Sequence, residues 1–242
     1  MAPMDDVSPL QFADLPLLFP DFAASERWLS LLQRHAALLL GAAPAVRVTS
    51  VPPEEFPRRH YAECLELWRV VRAESSGSLI VDVGTGGGFP GLVIAAVAPE
   101  VTIHLVEPLK KRARLLLAMA AELGLANVSV HPLRAEEAGR GLLRDSADIV
   151  IARAVAQTRE LLEYTAPLCR RGGLIALAKG SAGPEEIADA GRALAMLHCS
   201  HTKTVPLRAE ISETVRVMLL RKDGPTHPKY PRQPGAPGKF PL

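Results

Sequence analysis

The residues best suited to chemistry are Asp82-Val83-Gly84-Thr85-Gly86-Gly87-Gly88-Phe89-Pro90-Gly91, which continue the apolar run Leu79–Val83. Four glycines within positions 84 to 88 let a backbone turn tightly, accept positive φ and leave room for a ligand against the main chain. A bare strand-to-helix connector has no need of them. Asp82 lies inside the apolar run, where an unpaired carboxylate is costly, so the turn or a ligand must hydrogen-bond it. Glu107 ends the next apolar run, 23 positions after Gly84, where an acid receives ribose hydroxyls. These residues point to a nucleoside-bearing ligand. Residues 86 to 91 also satisfy the dinucleotide pattern G-x-G-x-x-G, so the turn alone does not separate a nicotinamide cofactor from an adenosyl one.

Three later positions extend the set. Arg134-Ala135-Glu136-Glu137 follows a third apolar run; an acid there could meet an adenine amino group, although the segment alone reads as the solvated first turn of a helix. Arg153 and Lys179 close two further runs, at the sheet edge where ligands gather. Arginine at such an edge suits an ion pair, a ligand carboxylate or an RNA phosphate. No Ser-His-Asp or paired-carboxylate constellation accompanies them. His198-Cys199-Ser200-His201 cannot aim three ligands one way and has no fourth, so no metal is expected.

The elements that must position these residues follow from periodicity. Residues 1–74 read as a helical extension: Trp28, Leu31, Leu32, His35, Leu38 and Leu39 form one buried stripe behind a Ser25 N-cap, and a second helix covers 54–72. Between them, 41–53 holds three prolines and a short β-like run, 46–51, and reads as a connector. Residues 75–222 alternate short apolar runs with helical patterns, the texture of βαβ units and a parallel sheet. Strands are expected at Leu79–Val83, Thr102–Val106, Val128–His131, 148–152, 174–178, 200–205 and 214–221, and helices at 90–97, 109–123, 158–169 and 184–197. About seven strands closing on a hairpin, behind a helical extension, suit a Rossmann-like α/β methyltransferase with helices on both sheet faces. Residues 223–242 carry prolines at 225, 228, 231, 234, 237 and 241, and read as an extended tail packed on the domain, without helix.

Composition bounds the rest. At 242 residues, 48% apolar and 22% charged, the chain is long enough for one sizeable core and too apolar for disorder. A formal charge of +2 makes no case for nucleic acid, but from Arg216 onward six Lys/Arg face one acid, whereas 1–74 holds ten acids and seven bases. Cys64, Cys169 and Cys199 are too dispersed for a disulfide framework and suit a reducing cytoplasm. Asp5 and Asp6 stand where a secretory signal would be basic, and apolar stretches such as 91–98 are too short to span a bilayer.

Four segments carry a resemblance: the run Asp82 to Gly91 with its Phe89-Pro90-Gly91 extension, Ala152-Arg153-Ala154-Val155-Ala156, Leu177-Ala178-Lys179-Gly180, and the close Tyr230-Pro231-Arg232-Gln233-Pro234-Gly235-Ala236-Pro237-Gly238-Lys239-Phe240-Pro241-Leu242. In order and over about 45–242, the chain resembles the bacterial small-subunit ribosomal RNA guanine-N7 methyltransferases, the glucose-inhibited division protein B family. The resemblance implies a class I methyltransferase fold, S-adenosyl-L-methionine as cofactor with S-adenosyl-L-homocysteine as product, and 16S rRNA or the small ribosomal subunit as partner. It also implies a monomer without metal or membrane partner. Cofactor contacts are implied at Gly84, Phe89, Glu107, Pro108, Leu109, Ala135, Glu136 on the adenine side, and Arg153; the turn itself adds Asp82, Gly86 and Gly88. Arg153 and Lys179 stand as positioning candidates, and Arg58, Arg59, His60, Lys179 and Arg232 as RNA contacts. Guanine N7 has a free lone pair and no proton, so no general base is assigned. Where the family carries Asn-Leu-Thr and a His followed by Asp-Ser-Leu, this chain has Arg47-Val48-Thr49 and His60-Tyr61-Ala62-Glu63-Cys64-Leu65. The alternatives are an NAD(P)-dependent oxidoreductase, a small-molecule methyltransferase and a non-catalytic ribosome-binding protein.

Overall fold

The computed structural model describes residues 10–43, 45–46 and 48–242; Asp5, Asp6 and Arg47 lie outside the described residues. The N-terminal part contains α1 (Leu15–Leu18), α2 (Ser25–Ala42) and α3 (Glu63–Glu74). Helix α2 buries Trp28, Leu32, His35, Ala36 and Leu39, one face of a 3.6-residue period. Leu31 and Leu38 flank that face half-buried. Ser25 is the first helical residue and not the cap; the cap is Ala24, in the left-handed region at φ 55°. Residues 57–62 wind as a π-helix that runs into α3, so the helix expected over 54–72 has two windings. The described residues of 46–51 form no strand.

The remaining chain alternates strand and helix: β1 (Leu79–Val83), α4 (Gly91–Val97), β2 (Thr102–Val106), α5 (Lys110–Glu122), β3 (Val128–His131), α6 (Ala135–Ala138) and β4 (Ala147–Arg153). It continues with α7 (Thr158–Thr165), β5 (Cys169–Lys179), α8 (Gly183–Ala188), α9 (Gly191–Met196), β6 (Cys199–Pro206), β7 (Arg216–Lys222) and α10 (Ala236–Lys239). Among the described residues seven strands form one sheet in the order β3-β2-β1-β4-β5-β7-β6. Strands β1 to β5 are parallel, and β7 is antiparallel to both β5 and β6. Alternate residues feed opposite faces. Ile80, Ile103, Leu105, Ile149 and Ile151 pack towards the N-terminal helices and α4, whereas Val81, Val83, Val106, Val150 and Ala152 pack towards α7. A dinucleotide-binding sheet in the order 3-2-1-4-5-6 has no antiparallel strand inserted beside its fifth. The place of β7 therefore does not favour the oxidoreductase alternative.

Two expectations need correction. The helix over 158–169 ends at Thr165, because Cys169 already pairs with Ala147, and that over 184–197 breaks between α8 and α9. The tail is not extended throughout: α10 follows Gly235, at φ 83°, with Pro237 in its first turn, where a missing N–H costs nothing. Arg144 donates to the carbonyls of Thr226 and Tyr230, both at 2.8 Å, and Arg140 to that of Pro231 at 2.9 Å. These bonds tie the tail to the loop after α6. No helix among the described residues is long and apolar enough to cross a membrane.

Candidate active site

The glycine turn leaves β1 at the carboxyl edge of the sheet. Gly84 and Gly86 have φ of 71° and 59°, a conformation that costs an L side chain about 1–2 kcal/mol. Asp82, 1% exposed, accepts the amide of Gly91 through Oδ2 at 2.9 Å and so caps the start of α4. Burial raises its carboxyl to about 6. Its Oδ1 closes no hydrogen bond. Glu107 is as deeply buried, and its two oxygens accept the amides of Gly86 at 3.1 Å and Leu109 at 2.9 Å. It thereby locks the end of β2 to the turn.

Two cavities meet at this turn. The larger, about 520 Å³, is lined by Thr49, Arg59, His60, Gly84, Gly86, Phe89, Arg112 and Arg153 among others. The smaller, about 130 Å³, lies between Val83, Gly84, Val106, Pro108, Ala135, Glu136, Val155 and Tyr164. Gly84 borders both. Apolar walls on either side of one acid suit a flat heterocycle carrying a donor group.

The N-terminal helices hold the turn from outside. His35 donates from Nε2 to the Gly87 carbonyl at 2.9 Å and accepts the Tyr61 hydroxyl at Nδ1, 3.1 Å away. His60 stacks on Phe89 with centroids 4.3 Å apart and planes at 13°, and its Nε2 bonds the Thr49 hydroxyl at 2.8 Å. His60 Nδ1 is buried without a partner. Burial, opposed by the Gly87 carbonyl, lowers His35 to about 4; burial, then the charges of Arg153 and Arg59, lower His60 to about 3. Both rings are neutral at pH 7.

A pH dependence follows. Below pH 6.5 the unfolded histidines take up protons that the folded ones refuse, so stability falls as pH drops towards 4. Asp82 works in the opposite sense, because its raised pKa lets the fold gain stability as pH falls through 6. Two histidines outweigh one aspartate, and a net loss of about 2 kcal/mol is expected between pH 7 and pH 5. Urea denaturation at the two pH values measures it. His35→Asn should lose less over the same interval; an equal loss would remove His35 from the account.

Arg153 forms the far wall. Its guanidinium meets Glu63 Oε2 at 3.0 Å and Cys64 Sγ at 3.0 Å, and donates to the carbonyls of His60 and Arg59. Glu63 and Cys64 both serve as acceptors for this one cation. Burial pushes the Cys64 thiol up to about 12, so it stays protonated.

The structure thus brings Gly84, Gly86, Phe89, Arg153, Arg59 and His60 around one cavity and Pro108, Ala135 and Glu136 around the other. Asp82 and Glu107 support the turn from behind. Gly88 lines neither cavity; a Cβ on it would lie 2.5 Å from Leu92 Cδ1, so its role is close packing. Leu109 is exposed at the start of α5 and lines neither. Two RNA candidates are found in ion pairs. Lys179 is held by Glu186 at 2.7 Å and the Ala156 carbonyl at 2.6 Å. Arg232 is held by Glu163, whose side chain is 0% exposed. Arg232 cannot leave a fully buried carboxylate without a large penalty, whereas Glu186 is half-buried and holds Lys179 less firmly. Arg58 donates to the Glu210 carbonyl, and Arg59 pairs with Glu55 at 3.1 Å, half-exposed at the cavity mouth.

Sequence reasoning misses His35, Tyr61, Val155 and Tyr164, whose roles depend on contacts between distant segments. It also misses Lys110 and Lys111, at the start of α5, and Arg114 a turn further on, in the helix whose Arg112 lines the large cavity. There the signal was local: the first turn of a helix favours acids, yet this one has none.

A family model described as GidB, rRNA small subunit methyltransferase G, matches residues 29–215. The chain belongs to this family. The ribosomal RNA small subunit methyltransferase G of Sorangium cellulosum (strain So ce56) is 34% identical over 241 residues, 95% of this chain and 99% of that protein. That of Desulfitobacterium hafniense (strain Y51) is 39% identical over 201 residues, 81% and 82% of the two chains. Among solved structures, a Corynebacterium glutamicum protein superposes with a TM-score of 0.54 at 18% identity, covering 89% of this chain and 99% of that one. A single-residue mutant of the 16S rRNA (adenine(1408)-N(1))-methyltransferase from Catenulisporales acidiphilia gives 0.51 at 19%, covering 66% and 91%. At such identities the superpositions show the fold alone.

Proposed function

We propose that the protein transfers the methyl group of S-adenosylmethionine to N7 of a guanine in 16S rRNA, as a cytoplasmic monomer acting on the small ribosomal subunit. The observation that carries this reading is Gly84 in the wall common to both cavities: the adenosine end fits the small one and the reactive end opens into the large one. The residues fit such a ligand. A Cβ on Gly86 would meet only the Gly84 carbonyl, at 3.9 Å, so the turn has room for a group laid against it. His60 Nδ1 supplies an unpartnered polar atom on the cavity wall.

When bound, S-adenosylmethionine supplies an electrophilic methyl on a sulfonium. The chain has only to hold the guanine in line, since N7 carries no proton to remove. Neutral His60, stacked on Phe89, adds no charge that would oppose a base becoming cationic. Arg153, fixed by Glu63 and Cys64, orients acceptor groups and is not a base.

Lys110, Lys111 and Arg114 supply the RNA-facing charge. All three are exposed, and among the described residues none has an ion-pair partner. Cations at a helix start work against its dipole, a local cost that a polyanion offsets. Replacing all three by alanine should weaken binding to small subunits and reduce the salt slope of log K by about 2. Calorimetry with S-adenosylhomocysteine should show unchanged affinity. An unchanged salt slope would place the RNA elsewhere.

The decisive experiment is transfer of labelled methyl from S-adenosylmethionine to small subunits lacking the modification, followed by mapping of N7-methylguanine. Incorporation at one guanine is expected. Tight NADH binding without S-adenosylmethionine binding, or no incorporation at guanine, would overturn the reading.

A further inference from the structure

The tail basic residue that sequence reasoning offers to RNA points inward instead. Arg232 meets Glu163 of α7 through Nε at 2.9 Å and Nη2 at 2.6 Å, and its main-chain amide adds a third bond to the same carboxylate at 2.7 Å. Nη2 also donates to the Phe240 carbonyl at 2.7 Å, which closes residues 232–240 on themselves. Inside that loop the Gly235 amide donates to Glu136 Oε1 at 2.8 Å. Glu136 is 3% exposed and lines the small cavity, as does Tyr164, the residue after Glu163.

One ion pair, to Glu163, and one main-chain hydrogen bond, to Glu136, therefore connect the tail to both sides of that cavity. A carboxylate with one oxygen fixed by a main-chain amide cannot turn freely, so it presents its acceptor at a set place. A carboxylate only accepts hydrogen bonds. It suits the 6-amino donor of adenine and opposes the 6-oxo acceptor of hypoxanthine.

We propose that residues 230–240 form a strap that sets the base selectivity of the small cavity, with Arg232 as the positioning residue and Glu136 as the group it positions. This rests on the proposed function, which puts an adenosine group in that cavity. Releasing the strap frees Glu136 and removes the penalty against the wrong base, whereas the RNA-facing surface at α5 is untouched.

Calorimetry on the full chain with S-adenosylhomocysteine and S-inosylhomocysteine tests it. The wild type should prefer the adenosyl compound by about 100-fold. Arg232→Met leaves Glu163 buried without its partner, so the double variant Arg232→Met/Glu163→Gln is measured beside it. In that variant the preference should narrow to about tenfold or less, while KM for small subunits moves less than about twofold; Arg232→Lys, which keeps the charge, should restore part of it. An unchanged ratio in the double variant, or an equal fall for both compounds, overturns the strap. A wild type that binds both compounds alike overturns the strap alone. A wild type that binds neither overturns it together with the proposed function.

Discussion

Gly84→Ala is expected to bind S-adenosylhomocysteine about 100-fold more weakly than the wild type, and to lose methyl transfer in proportion. Gly84 has φ 71°, and a Cβ on it would lie 2.8 Å from Val155 Cγ2, in the wall that both cavities share. Either Val155 is driven into the small cavity or the turn unwinds. Gly86→Ala separates the ligand's demand from the fold's. It meets no clash, so its stability cost is the left-handed strain alone, roughly 1–2 kcal/mol. Its melting temperature should fall by about 2–6 °C. Its cofactor affinity should still drop, because the added methyl stands in the large cavity. Calorimetry and thermal denaturation read the two effects apart. A Gly86→Ala protein that binds as well as wild type would mean that the ligand does not lie against this turn.

The second large effect belongs to Arg153. Arg153→Met keeps most of the stem but deprives Glu63, Cys64 and two carbonyls of the π-helical turn of their donor. Glu63 is 9% exposed, and a carboxylate left unpaired at that depth costs about 3–5 kcal/mol. Burial already raises its carboxyl, with Arg153 opposing the rise, so the variant should hold Glu63 protonated to a higher pH. The expected result is a melting temperature lower by about 10 °C and kcat/KM lower by about 100-fold. Adding Glu63→Gln removes the stranded charge and should recover most of the stability. It should not recover activity, because the cavity still lacks its guanidinium. If stability and activity return together, Arg153 is a scaffold residue only.

These two sites differ in how far the chain alone reveals them. The glycine turn is readable because its chemistry is local: positive φ and open space against the main chain demand glycine wherever they occur. The bounds of β1, β2 and β3 are readable for a related reason. Buried parallel strands are short apolar runs, and here each is followed closely by residues of turn type. The place of Glu107 at a strand end follows from the same pattern. What the pattern cannot convey is pairing. Nothing in residues 199–222 says that β7 inserts between β5 and β6, since a two-residue alternation describes a strand and not its neighbour.

Charged residues show the limit most sharply. Lys179 and Arg232 stand at plausible RNA positions by type and location, but Glu186 and Glu163 neutralise them from other elements. Arg153 reads from the sequence as a paired arginine; only the fold identifies Glu63 and Cys64, 90 and 89 positions away, as its partners. His35 reads as one member of a buried stripe, and its bond to Gly87 spans 52 positions. Lys110, Lys111 and Arg114 are the reverse case, a signal that a helix start rich in cations carries openly.

By itself the sequence determined the layered α/β architecture, the nucleoside-binding turn and, through four ordered segments, the family. Those are properties of backbone conformation and hydrophobic period, which neighbouring residues set. Tertiary structure decided which charges are available to a ligand, that Gly84 divides two cavities, and that the tail reaches back to Glu136. Each of those depends on which distant groups come within 3 Å of one another. Only the folded chain determines that, because pairing and desolvation act between segments that no local pattern relates.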